Sequence, residues 1–235
     1  MPAKIGGGGA CAWLAFSLPS PRLKKIVRPD IPRKAIYRLS VYLRCLQRLK
    51  ANGIRTVSSE ALARVAGVKS TQLRKDLAYF GQFGVRGLGY DVVELAQMTS
   101  DLLGTNSLQP VILVGVGNLG MALLAYRGFE QEGFEIVAAF DLDPKRLRDK
   151  NISVPVHGLE KMEKLGEIIA GRGVKMAILA VPAAAAQEVA NTLVQFSITG
   201  ILNFAPLVLH VPEEVMVNNV NLAIELENLS YFVQQ

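Results

Sequence analysis

A glycine-rich turn between an apolar segment and a helical one restricts the possible folds of this chain more than any other feature. Residues 110–114 (PVILV) are apolar and rich in β-branched side chains, which is typical of a buried parallel strand. The sequence GVGNLG follows at once at 115–120, and 121–126 continue with a helical pattern. A strand, a GxGxxG turn and a helix in this order predict the first βα unit of a dinucleotide-binding fold.

Each part of this turn has its own physical role. Gly115 allows the tight turn, Gly117 lets the backbone approach a pyrophosphate, and Gly120 lets the helix pack closely on the strand. The N–H groups at the helix N-terminus and the helix dipole favour an anion there. We therefore assign cofactor binding to the whole turn, namely Gly115, Val116, Gly117, Asn118, Leu119 and Gly120.

An acidic residue follows at the distance that this motif requires. Residues 135–140 (EIVAAF) predict a second strand that ends in Asp141, 21 residues beyond Gly120. A carboxylate at this place accepts hydrogen bonds from the adenosine ribose and repels a 2′-phosphate, which favours NAD(H) over NADP(H). Asp143, two residues later, is the alternative for this role.

Strands and helices continue to alternate beyond this acidic residue. Helices are predicted at 161–170 and 183–195, and strands at 175–181 and 200–203. The alternation predicts an α/β domain of Rossmann type over 108–218, in which a parallel sheet is doubly wound with helices on both faces.

Positive charge is concentrated in the N-terminal part of the chain. Residues 31–90 contain 12 Lys or Arg and only two acids, Glu60 and Asp76. Residues 91–235 contain 9 basic and 17 acidic residues. Clustered Lys and Arg neutralise phosphates, so the N-terminal segment is suited to nucleic acid.

The basic segment also has the pattern of a helix-turn-helix. Apolar residues recur at helical spacing over 33–51, and two short helices are predicted over 59–66 and 71–80, with Ser58 and Ser70 as their N-caps. The third helix then serves as the recognition helix, whose N-terminal end enters the major groove. The alternative is a small helical bundle with a solvated basic face. On the first interpretation, the DNA-binding residues are Ser70, Thr71, Gln72, Arg74, Lys75 and Tyr79.

A glycine-rich ribbon follows the third helix. Four glycines surround Arg86 within 81–90, which is typical of the wing of a winged helix, and an arginine on such a projection reaches the minor groove. We therefore predict a winged helix-turn-helix domain over 33–90 and a linker helix over 91–107. The remaining N-terminal residues, 1–32, are expected to be a disordered extension.

The last apolar segment of the chain needs a partner for its apolar face. Residues 220–233 place Leu222, Leu226 and Leu229 on one face of a predicted helix. This face either packs on its own domain or pairs with a second subunit, and a two-fold dimer suits a palindromic DNA target. We assign 219–235 to a C-terminal dimerisation helix.

Neither a catalytic nor a metal-binding pattern accompanies the predicted dinucleotide site. His157 and His210 have no carboxylate or Arg partner nearby in the sequence, and Cys11 and Cys45 lack metal-ligand spacing. We expect no catalytic residue, no metal, no membrane span and a cytoplasmic location. A dinucleotide site without catalysts beside a DNA-binding domain indicates that the dinucleotide is a signal. The alternatives are an NAD-dependent oxidoreductase with an incidental basic segment and a nucleotide- or CoA-binding assembly module.

Five stretches of the sequence together form a recognisable pattern. They are VSSEALARVAGVKSTQLRKDLAYFGQFGVRGLGY (57–90), VILVGVGNLGMALLAY (111–126), FDLDP (140–144), AVPAAAAQ (180–187) and GILNFAP (200–206). On these stretches, from about residue 33 to the C-terminus, the chain resembles the Rex family of redox-sensing transcriptional repressors. The resemblance implies a homodimer with an N-terminal winged helix, a C-terminal Rossmann-like domain and a last helix that is swapped onto the partner. It also implies a palindromic operator DNA that is bound when NADH is low and released by NADH, with NAD⁺ compatible with DNA binding.

The resemblance also implies roles for three further residues. Tyr126 matches a tyrosine that lies near the nicotinamide and helps to distinguish its redox states. The family commonly has an aspartate just before the swapped helix, which pairs with that tyrosine in one state and with an arginine of the first helix in the other. Here the two positions correspond to Asn221 and Arg38. Because Asn221 cannot form a charged pair, we expect its contact with Arg38 to be weaker and the switch to be biased differently.

Overall fold

The computed structural model describes residues 31–84, 87–147, 152–159 and 162–234. Arg86 and almost all of the predicted N-terminal extension lie outside the described residues. The described residues form a helical N-terminal part and an α/β C-terminal part, as the sequence predicts.

The N-terminal part is built from helices and a short antiparallel ribbon. The first helix has the bounds that its apolar spacing predicts, and the ribbon pairs Val57 with Tyr90. Its elements are α1 (Arg33–Ala51), β1 (Thr56–Val57), α2 (Ser59–Val65), α3 (Ser70–Ala78), β2 (Tyr90–Asp91) and α4 (Val92–Leu103).

The two short helices begin in different ways. Ser58 caps α2 as predicted, since its Oγ accepts a hydrogen bond from the Ala61 N–H at 3.1 Å. The prediction that Ser70 caps α3 is wrong, because Lys69 is the N-cap and Ser70 is already helical. The Lys69 carbonyl accepts the first helical hydrogen bond, from the Gln72 N–H at 2.9 Å. Backbone geometry therefore starts α3 one residue earlier than the side-chain pattern indicates.

The segment expected to be a linker helix takes part in the N-terminal core. Helix α4 lies against α1, and Val92, Leu95 and Ala96 are buried there. Asp91 caps this helix through a hydrogen bond from the Glu94 N–H at 2.8 Å. The winged helix is thus completed by a helix that follows its second ribbon strand.

A charged residue lies at the centre of this core. Asp76 of α3 is 0% exposed, and its two carboxylate oxygens accept four hydrogen bonds. Arg38 Nε and the Tyr42 hydroxyl donate to Oδ2 at 2.5 and 2.7 Å, and Arg38 Nη2 and Gln72 Nε2 donate to Oδ1 at 2.7 and 2.8 Å. Burial on its own raises the pKa of Asp76, but the hydrogen bonds from Arg38, Tyr42 and Gln72 outweigh it and lower that pKa.

The C-terminal part has a six-stranded parallel sheet in the order β5-β4-β3-β6-β7-β8. This is the strand order of a Rossmann fold, with the first strand of the domain at its centre. Its elements are β3 (Gln109–Val114), α5 (Asn118–Ala125), α6 (Gly128–Gln131), β4 (Phe134–Asp141), a 3₁₀ turn (Pro144–Leu147), β5 (Val156–Gly158), α7 (Met162–Arg172), β6 (Met176–Leu179), α8 (Ala183–Gln195), β7 (Gly200–Asn203), β8 (Met216–Asn219) and α9 (Leu222–Val233).

The central strand divides its side chains between two apolar cores. Ile112 and Val114 face the core that α7 and α8 cover, whereas Val111 and Leu113 face the core that α5 covers. All four side chains are buried, which explains the continuous apolar run in the sequence. The sheet is therefore doubly wound, as predicted.

Two strands of the sheet were not predicted from the sequence. Strand β5 contains His157, which pairs with Phe140 of β4. Strand β8 has the sequence MVNN, which is too short to give a strand pattern. It exists through backbone pairing with β7 at the edge of the sheet, in which Asn203 is opposite Asn219.

The C-terminal helix carries an apolar surface that the other described residues do not cover. None of the α9 side chains is buried, and Phe232 is 72% exposed. The exposed large apolar residues of this helix are Leu222, Ile224, Leu226, Leu229, Tyr231, Phe232 and Val233. Across the described ranges, no helix combines the length and the apolar character that crossing a bilayer requires.

We expect Asp76→Asn to destabilise the fold by about 2–3 kcal/mol at pH 7, because it removes a buried charge that Arg38 requires. The pKa of Asp76 is lowered in the folded state, so its contribution is complete at neutral pH and is lost as the pH falls through that pKa. Urea unfolding followed by circular dichroism gives the free energy of unfolding of each protein. Wild type and Asp76→Asn should differ strongly in this free energy at pH 7, and the difference should narrow below about pH 4. Glu60→Gln, at the exposed second acid of the basic segment, is the matched control and should change little. Equal effects of the two substitutions would contradict the structural role of Asp76.

Candidate nucleotide and DNA sites

The glycine-rich turn connects β3 to α5 with almost no free space around two of its glycines. A Cβ on Gly115, whose φ is +94°, would lie 2.4 Å from the Ala180 carbonyl oxygen. A Cβ on Gly120 would lie 2.0 Å from the Gly115 carbonyl oxygen. Both glycines are therefore required by close packing, the first against the end of β6 and the second between α5 and the turn.

The middle glycine of the motif has a different environment. A Cβ on Gly117 would meet no atom of the described chain within 4 Å. Gly117 is the N-cap of α5, and no side-chain hydrogen bond caps this helix within the part of the chain described. Open space at the N-terminus of a helix is the environment in which a pyrophosphate binds. Gly117 therefore fits the predicted close approach of a dinucleotide.

Asp141 lies at the end of β4 and is bonded to the same turn. Its side chain is almost buried, and Oδ2 accepts a hydrogen bond from the Val116 N–H at 2.7 Å. Oδ1 accepts the Asp143 N–H at 3.0 Å, and Arg146 Nη2 lies 3.2 Å from both oxygens. Asp141 thus joins the turn to the neighbouring strand. Its predicted contact with a ribose stays a prediction. The alternative residue, Asp143, joins the cluster only through its backbone N–H, and it is exposed.

Tyr126 lies directly after α5, and its side chain is 59% exposed. Its ring is edge-on to Phe129, with 5.1 Å between the centroids. It also covers Gly128, because a Cβ there would lie 2.2 Å from Tyr126 Cζ. An exposed aromatic ring held by a glycine and a second ring is available to a ligand, so Tyr126 can serve the role that the resemblance implies.

The predicted recognition helix α3 presents most of its assigned residues to solvent. Thr71, Arg74, Lys75 and Tyr79 are exposed, whereas Ser70 and Gln72 are half-buried. Each exposed residue is separated from another by three or four positions, so they form one face of the helix. This face is polar and basic, as a major-groove surface requires.

A groove separates α3 from the ribbon. It has a volume of about 400 Å³, and its lining includes Ser59, Arg74 and Tyr90. Arg74 Nη1 donates a hydrogen bond to Ser59 Oγ at 2.9 Å, which holds the arginine at the edge of the groove. The predicted contact of Arg86 with the minor groove concerns a residue outside the described part of the chain.

Comparison with known proteins separates the chain into the same two parts. A family model described as "Putative DNA-binding protein N-terminus" matches residues 30–78, and one described as "CoA binding domain" matches residues 106–207. The redox-sensing transcriptional repressor Rex of Pelotomaculum thermopropionicum is 49% identical over 205 residues, which cover 87% of this chain and 95% of that protein. This chain belongs to the Rex family.

Further Rex proteins support the assignment. The Rex protein of Streptomyces coelicolor is 46% identical over 205 residues, which are 87% of this chain and 78% of that protein. The crystal structure of RSP in complex with β-NAD⁺ and operator DNA matches with a TM-score of 0.78 at 37% identity, over 86% of this chain and 92% of that one. RSP in complex with β-NADH matches with a TM-score of 0.73 at 35% identity, over 87% and 94% of the two chains.

Membership of the Rex family decides between the functional alternatives. Rex proteins are transcriptional repressors and not enzymes, although their fold is Rossmann-like. The expectation that this chain is not an enzyme is therefore confirmed, and the oxidoreductase alternative is excluded. The basic helices are the DNA-binding domain of a repressor and not a bundle with a solvated charged face.

The two predicted switch residues have separate partners within this subunit. Arg38 is bound to Asp76, so any contact with Asn221 has to compete with a buried ion pair. The Asn221 side chain caps α9 by accepting the Ala223 N–H at 3.0 Å. A pairing of Arg38 with Asn221 stays a prediction.

Sequence reasoning missed three residues that organise the Rex sites. From the sequence, Asp76 was noted only as one of two acids in a basic segment. Its place on the apolar side of α3, beside Leu73 and Leu77, is a signal that could have identified it as a buried acid. Arg146, five residues after Asp141, had no comparable signal. Arg44 of α1 lies 3.3 Å from Glu132, the residue that follows α6, and this ion pair joins the two parts of the chain.

Two glycine substitutions test the nucleotide site separately from the fold. We expect Gly117→Ala to leave the free energy of unfolding unchanged. It should weaken the binding of NADH, the predicted ligand, at least tenfold, because the new methyl group occupies open space that the pyrophosphate needs. We expect Gly120→Ala to lower stability by about 1–3 kcal/mol through overpacking against Gly115.

NADH fluorescence titration and urea unfolding measure the two effects. Gly171→Ala in α7 is the control. Beyond its own helix, no described atom lies within 4 Å of the added Cβ, so this substitution should change neither NADH binding nor packing. Full NADH affinity in Gly117→Ala would show that the ligand does not bind over this turn.

Proposed function

We propose that this chain is a redox-sensing repressor that binds a palindromic operator DNA as a homodimer and is released from it by NADH. The observation that carries the proposal is the match to RSP in complex with both β-NAD⁺ and operator DNA, which extends over 86% of the chain. A single alignment thus includes the winged helix and the Rossmann domain. A cytoplasmic location follows from this role.

The nucleotide is bound at the carboxyl ends of β3 and β4. The turn from Gly115 to Gly120 supplies backbone N–H groups to the pyrophosphate, and Gly117 leaves the space for it. Asp141 lies where the adenosine ribose is expected, and Tyr126 provides the aromatic contact near the nicotinamide. The bound dinucleotide is either reduced or oxidised, and the chain supplies the groups that distinguish NADH from NAD⁺.

The DNA is bound by the winged helix. The exposed face of α3 enters the major groove, where Thr71 reaches base edges and Arg74 and Lys75 reach bases or phosphates. Arg86 extends this surface into the minor groove. The basic charge of residues 31–90 supports the sequence-independent part of the affinity.

The dimer is formed through α9. The seven large apolar side chains of this helix are all exposed in the single subunit. Exposing so much apolar surface is unfavourable, and a second copy of the chain covers it when the helix crosses onto the partner. Two recognition helices related by a two-fold axis then contact half-sites about 34 Å apart, or a multiple of that distance.

Release by NADH requires linkage between the two sites. NADH dissociates the DNA only if it binds the DNA-incompetent dimer more tightly, and DNA must then weaken NADH binding by the same factor. To shift the ratio of DNA-incompetent to DNA-competent dimer from 1:99 to 99:1, NADH must bind the DNA-incompetent dimer about 10⁴ times more tightly. A small rotation of the Rossmann domains that changes the spacing of the recognition helices is sufficient.

Fluorescence anisotropy on a labelled palindromic promoter fragment tests the function directly. At fixed salt, we expect micromolar NADH to release the DNA and an equal concentration of NAD⁺ to leave it bound, in keeping with the differential affinity that the linkage requires. Arg74→Ala should weaken DNA binding and keep NADH affinity. Tight operator binding that responds to neither nucleotide would contradict redox sensing, and the absence of any sequence preference would contradict the repressor function.

Substitution on α9 tests the dimer. We expect Leu229→Arg to convert the dimer to a monomer and to reduce operator affinity more than tenfold, because it places a charge in the apolar contact. Sedimentation equilibrium gives the mass of the particle. Glu227→Gln changes a charge on the same exposed helix and should remain dimeric. A dimeric Leu229→Arg protein would exclude α9 as the main dimer contact.

A further inference from the structure

The half-buried glutamine of the recognition helix has an unusual environment for a DNA-facing residue. Gln72 lies in the first turn of α3, between the exposed Thr71 and the buried Leu73. Its amide nitrogen donates a hydrogen bond to Asp76 Oδ1 at 2.8 Å, one turn further along the helix. The side chain is therefore held by the protein core before any DNA is bound.

The chemistry of Asp76 determines which way this amide points. An ionised carboxylate only accepts hydrogen bonds, so the amide nitrogen of Gln72 and not its oxygen faces Asp76. Arg38 and Tyr42 of α1 occupy the remaining positions on the carboxylate, and each oxygen accepts two hydrogen bonds. In this arrangement the amide nitrogen of Gln72 is directed at Asp76.

The orientation leaves two groups of Gln72 for a ligand. Its second N–H and its carbonyl oxygen Oε1 take no part in the bond to Asp76. In the major groove, adenine presents an acceptor at N7 and a donor at N6, whereas guanine presents two acceptors. A donor and an acceptor held side by side match adenine and oppose guanine.

We propose that Gln72 reads one adenine in each operator half-site through its N7 and N6 groups, and that Asp76, held by Arg38 and Tyr42, is the positioning residue for this contact. The proposal deepens the proposed function and rests on it. Because the glutamine rotamer is ordered in advance, binding DNA costs less side-chain entropy than it would for a free glutamine. The low pKa of Asp76 keeps the carboxylate ionised at neutral pH.

The test uses the full chain and a duplex selected from random palindromes by the wild-type protein. Each base pair of the half-site is then replaced in turn, and dissociation constants are measured by anisotropy at fixed salt. For wild type, we expect one A·T position at which replacement by G·C weakens binding about tenfold. Gln72→Met keeps the length of the side chain and should lose the preference at this position alone.

Two further variants complete the design. Tyr42→Phe removes one hydrogen bond from Asp76 but keeps the ion pair, and it should reduce the preference at the same position while those at other positions remain. Gln97→Met is the matched control, because Gln97 makes the same amide bond to Asp101 at 3.1 Å on α4. It should leave the whole specificity profile unchanged.

The outcomes are distinct. If Gln72→Met weakens all duplexes equally or keeps the wild-type profile, Gln72 is not a base-reading residue, although the repressor function stands. If Gln72→Met loses the single preference but Tyr42→Phe keeps it at full strength, the positioning role of Asp76 is overturned. If the wild-type protein selects no sequence at all, this proposal and the proposed function both fail.

Discussion

The close approach between the Gly120 backbone and the Gly115 carbonyl determines how the C-terminal part is arranged. It brings the first turn of α5 against β3, and only glycine fits, since a Cβ on Gly120 would lie 2.0 Å from that oxygen. Helix α5 is thereby placed with its N-terminus over Gly117 and its C-terminus at Tyr126. Asp141 fixes the same turn from the neighbouring strand through the Val116 N–H. The geometry of the predicted nucleotide site is therefore a consequence of helix–sheet packing.

The N-terminal part depends on a negative charge, although this segment contains almost no acidic residues. Asp76 is one of two acids among 12 basic residues, and it is the one that the core surrounds. It joins α3 to α1 through Arg38 and Tyr42, so the recognition helix has one position relative to the rest of the domain. A buried ion pair adds little net stability compared with apolar packing, but it specifies a geometry. In a repressor, the geometry of the recognition helix determines the operator sequence.

Polar side chains link the last strands of the sheet to the C-terminal helix. Asn203 of β7 is buried and donates to Asn219 of β8 at 2.9 Å, just before the chain leaves the sheet toward α9. Asn221 then caps that helix. At the other end of the Rossmann domain, Arg44 and Glu132 join it to α1. The N-terminal part and the C-terminal helix thus both connect to the six-stranded sheet.

The two parts of the chain and most of their helices and strands can be predicted from the sequence. The glycine motif, the buried strand before it and the apolar spacing of α1 each lie within a short stretch of sequence, so they can be recognised without knowledge of the fold. The tertiary structure alone decided which polar residues meet. Arg38 and Asp76 are 38 positions apart, and Val116 and Asp141 are 25 apart, so their contacts depend on how helices and strands pack. Strand β8 likewise exists only because β7 supplies its hydrogen-bonding partners, which a short polar sequence does not reveal.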